Sequence, residues 1–195
     1  IKRLKNPVKL IYYTKSNYQY RFIRLLDYLD KKAEKEVLIL ARCNHDLKNV
    51  YEIDFEELKN QGIKCIMFDL DSTVMVSKSA NFLPETVEWF NSFIKDFEVA
   101  IISNNKNEEY INNASKLAPC RVIGMANKPN PQIMRSYLES MEINPHEAVM
   151  VGDRPLTDIL AGKLLGCKTI LVGSINPKEN LPTKIVRALE RSTIR

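Results

Sequence analysis

The chain has 195 residues, 45% of them hydrophobic and 27% charged. That balance suits one sizeable core with at most a small appendage, and it argues against disorder or a repeat array. No apolar run approaches the roughly 20 residues a membrane span needs, and four widely spaced cysteines without a CxxC pair argue against a metal-thiolate or redox site.

The net charge of +5 is concentrated at one end: residues 1–36 carry ten Lys/Arg against four Asp/Glu, so the rest of the chain is close to neutral. Residues 1–46 form a basic, aromatic segment in which Arg21–Leu29 sets Phe22, Leu25, Leu26 and Leu29 at helical spacing. Its charges suit either the solvated faces of helices or contact with an anionic surface, lipid or nucleic acid. The start Ile1-Lys2-Arg3-Leu4-Lys5 lacks the apolar stretch of a secretory leader. Cys43, Cys65, Cys120 and Cys167 read as free thiols of a reducing compartment, so the expected location is cytoplasmic.

From residue 47 onward a regular alternation begins. Strand-like apolar runs fall at Cys65–Phe68, Val99–Ile102, Arg121–Met125, Ala148–Val151 and Thr169–Val172. Helical patterns lie between them at Glu85–Lys95 (just after Pro84), Asn107–Leu117, Gln132–Met141 and Leu156–Leu165, with Gly166 as a stop and a last helix over Lys184–Arg191. Single helices between strands imply βαβ units and a mostly parallel five-stranded sheet. Runs such as Ile66-Met67-Phe68 and Val149-Met150-Val151 are apolar at successive positions, the pattern of strands covered on both faces.

Ligands of such sheets gather at the carboxyl ends of the strands. There the chain delivers Asp69-Leu70-Asp71-Ser72-Thr73, then Ser103-Asn104-Asn105, then Lys128-Pro129, then Gly152-Asp153 followed by Asp158. Singly, each has an ordinary explanation: Asp and Ser form turns and cap helices, and Lys128 suits a surface. Together, Asp69, Asp71, Asp153 and Asp158 crowd four carboxylates onto one edge, which is costly unless a cation neutralises them. Hard oxygen donors select Mg²⁺ over softer metals, and His45 and His146 lie away from these ends. The Ser103 hydroxyl, the backbone N–H groups after it and the Lys128 ammonium suit phosphate oxygens.

These residues in this order resemble the four motifs of the haloacid dehalogenase (HAD) superfamily. Within it the likeness is to the YqeG-type group of subfamily IIIA, carried also by Gly62-Ile63-Lys64, Asn127-Lys128-Pro129 and Thr157-Asp158-Ile159-Leu160 with Gly162. Ser72 stands where Asn or Gly is usual in that family, and Arg154 where Gln is usual. The resemblance implies a Rossmann-like α/β three-layer sandwich over residues 47–195 and an aspartate-nucleophile phosphatase. Asp69 would attack phosphorus and Asp71 act as acid and base. Asp69, the Asp71 carbonyl and Asp153 would hold Mg²⁺, with Asp158 shaping the metal shell. Thr73, Ser103, Asn104 and Lys128 would bind phosphate.

The chain between Asp69 and Ser103, and between Ser103 and Lys128, is just long enough for one crossover each, with about ten residues to spare near Met75–Leu83. No large cap domain fits, so the site is expected to be open and to admit a bulky phosphorylated substrate. Relatives of the resembled group include phosphatidylglycerophosphate phosphatases, which makes a lipid head group the leading expectation, with peripheral membrane contact through the basic segment. A soluble sugar-phosphate or nucleotide phosphatase is the first alternative. A silent binding protein for nucleic acid or a protein partner is the second, and retention of every catalytic group argues against it.

Overall fold

The computed structural model describes residues 44–77, 79 and 81–175. The expected helices at 21–29 and 184–191, and Cys43, lie outside them. The elements in chain order are β1 (His45–Leu47), a 3₁₀ turn (Val50–Glu52), α1 (Phe55–Asn60), β2 (Cys65–Phe68), α2 (Pro84–Phe93), β3 (Glu98–Ile102), α3 (Glu108–Leu117), β4 (Arg121–Ile123), α4 (Gln132–Ser140), β5 (Ala148–Gly152), a π-helical turn (Pro155–Ile159), α5 (Leu160–Leu165) and β6 (Lys168–Val172). The strands form one sheet in the order β1-β6-β5-β2-β3-β4, every pairing parallel.

Strand periodicity splits the core in two. Ile66, Phe68, Val99, Ile101, Val149 and Val151 point to one face, where Leu58 of α1, Phe90 and Phe93 of α2 and Ala114 of α3 cover them. Their neighbours Cys65, Met67, Ala100, Ile102, Ala148 and Met150 point to the other, against Met134, Tyr137 and Leu138 of α4 and Ala161 and Leu165 of α5. The result is a three-layer α/β/α sandwich. β2 and β5 are buried at every residue, as double-sided cover demands.

Local chemistry sets the helix ends. Pro84 opens α2, and the side chains of Asp54 and Asn107 accept N–H bonds at the starts of α1 and α3. Gly166 closes α5 in the left-handed conformation at φ 93°.

The sheet has six strands rather than five. The added β1 is three residues long, exposed at His45 and Asp46, and pairs with β6 at the sheet margin. So short and polar a strand carries no periodic signal. The expected helix over Leu156–Leu165 begins instead as the π-helical turn Pro155–Ile159, a form that gathers at functional sites. Among the described residues between β2 and α2 there are only turns and an isolated Asp71–Met75 bridge. Among the described residues no cap domain covers the carboxyl edge of the sheet. No helix of the described residues is long and apolar enough to cross a membrane.

Candidate active site

Asp69 is the first residue past β2, and its N–H still donates to the Val151 carbonyl (2.8 Å), so its position is an extension of the sheet. The chain then turns sharply. Ser72 adopts φ 70°, its N–H bonds the Met75 carbonyl at 2.8 Å, and its own carbonyl accepts from Ile175 past β6 at 2.9 Å. Asn and Gly enter this left-handed region most readily, which explains why Ser72 stands out against the Asn or Gly usual there.

Lys128 is buried, its side chain 1% exposed. Its ammonium has three donors and three acceptors: Asp69 Oδ1, Asp158 Oδ1 at 2.8 Å and the Ile102 carbonyl at 2.6 Å. The loop that carries it is clamped by Asn104, whose Oδ1 accepts from the Lys128 N–H (2.6 Å) and whose Nδ2 donates to the Lys128 carbonyl (2.9 Å). The Asn104 amide thus orients the lysine. Ser103 is buried at the end of β3, next to Ile102, and its Oγ accepts the Asn105 N–H at 3.1 Å.

On the β5 side Asp153 and Asp158 are each 1% exposed. The π-helical turn brings Asp158 back over the strand end, where Oδ2 accepts the Arg154 N–H (3.0 Å) and the Thr157 hydroxyl lies 3.3 Å from Oδ1. Gly152 makes this possible: a Cβ there would fall 2.4 Å from the Asp158 Cβ and 2.5 Å from its carboxylate. The Thr73 hydroxyl bridges, 3.4 Å from both Asp69 Oδ2 and Asp153 Oδ1.

One carboxylate oxygen from each of Asp69, Asp153 and Asp158 lies within 4.8 Å of the others. Asp69, Asp153 and Asp158 thus bring three carboxylates together beside one buried ammonium. Burial raises the Asp69 pKa, Lys128 pulls it back, and Asp158 and Asp153 push it up again, to about 8. At Lys128 burial works downward, but Asp158 and Asp69 outweigh it and hold the ammonium above its usual range. An all-oxygen donor set of converging carboxylates fits a hard divalent cation.

Asp71 stands apart from that trio. Its Oδ1 accepts a 2.6 Å hydrogen bond from the hydroxyl of Tyr110, in the first turn of α3. Of the eight residues singled out in the sequence, hydrogen bonds and ion pairs join Asp69, Thr73, Lys128, Asp153 and Asp158 directly; Ser103 and Asn104 flank the lysine, and Asp71 faces the same edge. Tyr110 and the space-making role of Gly152 had no signal in the linear chain.

A HAD-hydrolase-like family model matches residues 125–189, and the parallel sandwich with its acidic strand ends is the architecture of that class. The chain is 33% identical over 146 residues to the probable phosphatase YqeG of Bacillus subtilis, an alignment spanning 74% of this chain and 84% of that protein. It is 27% identical over 160 residues to phosphatidylglycerophosphate phosphatase 1 of Arabidopsis thaliana, spanning 76% of this chain but 46% of that longer protein. Among solved structures it is similar to an uncharacterized protein of Listeria monocytogenes serotype 4b, with a TM-score of 0.47 at 17% identity over 60% of this chain and 85% of that one. The chain belongs to the YqeG-type HAD phosphatases.

Proposed function

We propose that this phosphatase hydrolyses phosphate monoesters through an aspartyl-phosphate on Asp69, with Mg²⁺ as its cation. The observation that carries the reading is the convergence of the Asp69, Asp153 and Asp158 carboxylates with Lys128 at one sheet edge. Asp69, Asp153 and Asp158 would hold Mg²⁺, which when bound keeps Asp69 ionised and offsets charge on the phosphoryl oxygens. Asp69 attacks phosphorus and the ester P–O bond breaks. Asp71 gives its proton to the leaving oxygen, then takes one from the water that attacks the aspartyl-phosphate. Inorganic phosphate leaves and Asp69 is regenerated. The Ser103 hydroxyl and Lys128 ammonium hold the phosphoryl oxygens, and Thr73 keeps Asp69 and Asp153 in register.

For the substrate, the alignment with the Arabidopsis enzyme supports phosphatidylglycerophosphate. The edge, uncapped among the described residues, supports a bulky ester. So do Met125, 53% exposed, and Ile133, 38% exposed, which flank the loop carrying Lys128. In this reading residues 47–195 are the phosphatase domain, and the basic segment 1–46 adds attraction to anionic lipid.

The test is Mg²⁺-dependent phosphate release from a substrate panel that includes phosphatidylglycerophosphate. Asp69→Asn keeps the shape and removes the nucleophile, so turnover should vanish. Wild-type turnover in that variant would refute the reading, and preference for a soluble sugar phosphate or nucleotide would replace the lipid substrate.

A further inference from the structure

We propose that Tyr110 is a positioning residue for Asp71, setting the direction from which the acid reaches the leaving oxygen; this rests on the acid–base role of Asp71 given above. The two residues are 39 positions apart and come from different crossovers, yet the Tyr110 hydroxyl donates to Asp71 Oδ1 at 2.6 Å. A bond of that length is directional, and Oδ1 can accept it whether the carboxyl group is ionised or protonated. Fixing Oδ1 fixes the carboxyl plane, and with it the line along which Oδ2 lies.

Both ends of the contact are held. The Tyr110 ring packs half-buried against the core. Its N–H donates to the Asn107 side chain at 3.1 Å, the Asn107 N–H to the Asn105 side chain at 2.9 Å, and the Asn105 N–H to Ser103 Oγ at 3.1 Å. The phenol is therefore referenced to the strand end that carries the phosphate-binding serine. Asp71 sits in a turn closed by the Met75 and Val74 N–H groups on the Leu70 carbonyl, at 3.0 and 3.2 Å. A chain of short bonds thus runs from Ser103 through Tyr110 to Asp71. In enzymes with a cap, groups borne by that cap can fix such geometry. Here a residue of the core sandwich is placed to do it.

A purely structural bond between α3 and the β2 turn would affect every substrate alike. A bond that aims the acid matters in proportion to how much the leaving group needs a proton. The experiment compares an alkyl phosphate, a poor leaving group, with p-nitrophenyl phosphate, a good one, in the full chain with Mg²⁺. Tyr110→Phe keeps the ring. It should lower the first-turnover rate of alkyl ester cleavage by roughly tenfold, part of the about 10²–10⁴-fold a positioned acid contributes. The first-turnover release of p-nitrophenol, which precedes the water step that both esters share, should stay near wild type. In an Asp71→Ala background Tyr110→Phe should cost nothing further. Equal losses in the first turnover of both esters, or an undiminished further loss in Asp71→Ala, would overturn the assignment while leaving Asp71 as the acid. Alkyl-ester turnover unchanged in Asp71→Ala alone would overturn the acid–base reading and this inference with it.

Discussion

The two edges of the sheet hold polar groups under opposite conditions. At the carboxyl edge Lys128, Asp153 and Asp158 are buried beside the partly buried Asp69, close to Ser72 in a left-handed turn and to a π-helical turn. At the amino edge the polar groups are local fasteners. Lys64 pairs with Glu147 at 2.6 Å, Tyr137 donates to Glu98 at 2.6 Å, and Lys59 reaches Asp96 at 3.6 Å with both side chains about half exposed. Buried charge is costly to assemble and solvated pairs are cheap. Among the described residues the crowded carboxylates lie at the edge where chemistry happens, and the other edge closes the fold with separate contacts, of which Lys59–Asp96 is the most solvated.

Lys128→Met should separate the two edges most sharply. Removing the ammonium that pairs with Asp69 and Asp158 should abolish turnover and destabilise the protein by about 3–5 kcal/mol, the cost of breaking a buried pair. Chemical denaturation measures it, and a loss below about 1 kcal/mol would mean that the lysine is not the counter-ion its three bonds make it.

Next is the effect of the cation on melting. The folded site holds the Asp69 proton up to about pH 8, whereas the unfolded chain releases it near the ordinary carboxyl value. In the absence of a cation this group therefore erodes stability as pH rises toward 8. Excess Mg²⁺ should restore it, by about 2.7 kcal/mol at a hundredfold excess over Kd. The rise in Tm should be larger at about pH 8 than at about pH 6. An equal rise at both would break the link between the cation and the buried acids.

The smallest effect belongs to the amino edge. Lys59→Ala should change stability by no more than about 0.5 kcal/mol and leave kcat alone, since both partners are solvated. A measurable fall in activity would show that the edges are not independent.

How much of this was legible in the linear chain follows the same division. The four inner strands announced themselves because burial on both faces demands unbroken apolar runs, and strand-end chemistry followed from them; β4, at the sheet margin and only partly covered, pairs over Arg121–Ile123 where the apolar run reaches Met125. β1 left no trace, having three residues of which two are exposed. α1 was overlooked although Asp54 and Glu57 carry a helix-start spacing, and Asp54 does cap the helix. Asn104 reads in sequence as a phosphate donor through its backbone N–H, and the clamp its side chain places on the Lys128 backbone comes only with the fold. The Tyr110–Asp71 bond joins two crossovers, so only the packed layers create it. Helical periodicity carries no information about the π-helical turn, because the same apolar residues satisfy either winding.

The bare α-carbon of Gly152 has an evolutionary reading. The smallest addition, a single methyl group, would collide with the Asp158 side chain, so drift at this codon is blocked by sterics before any question of reaction arises. A search for altered substrate preference in this scaffold should leave that site untouched and spend its diversity on the stretch between Val76 and Leu83, where the described residues are largely exposed or half-buried.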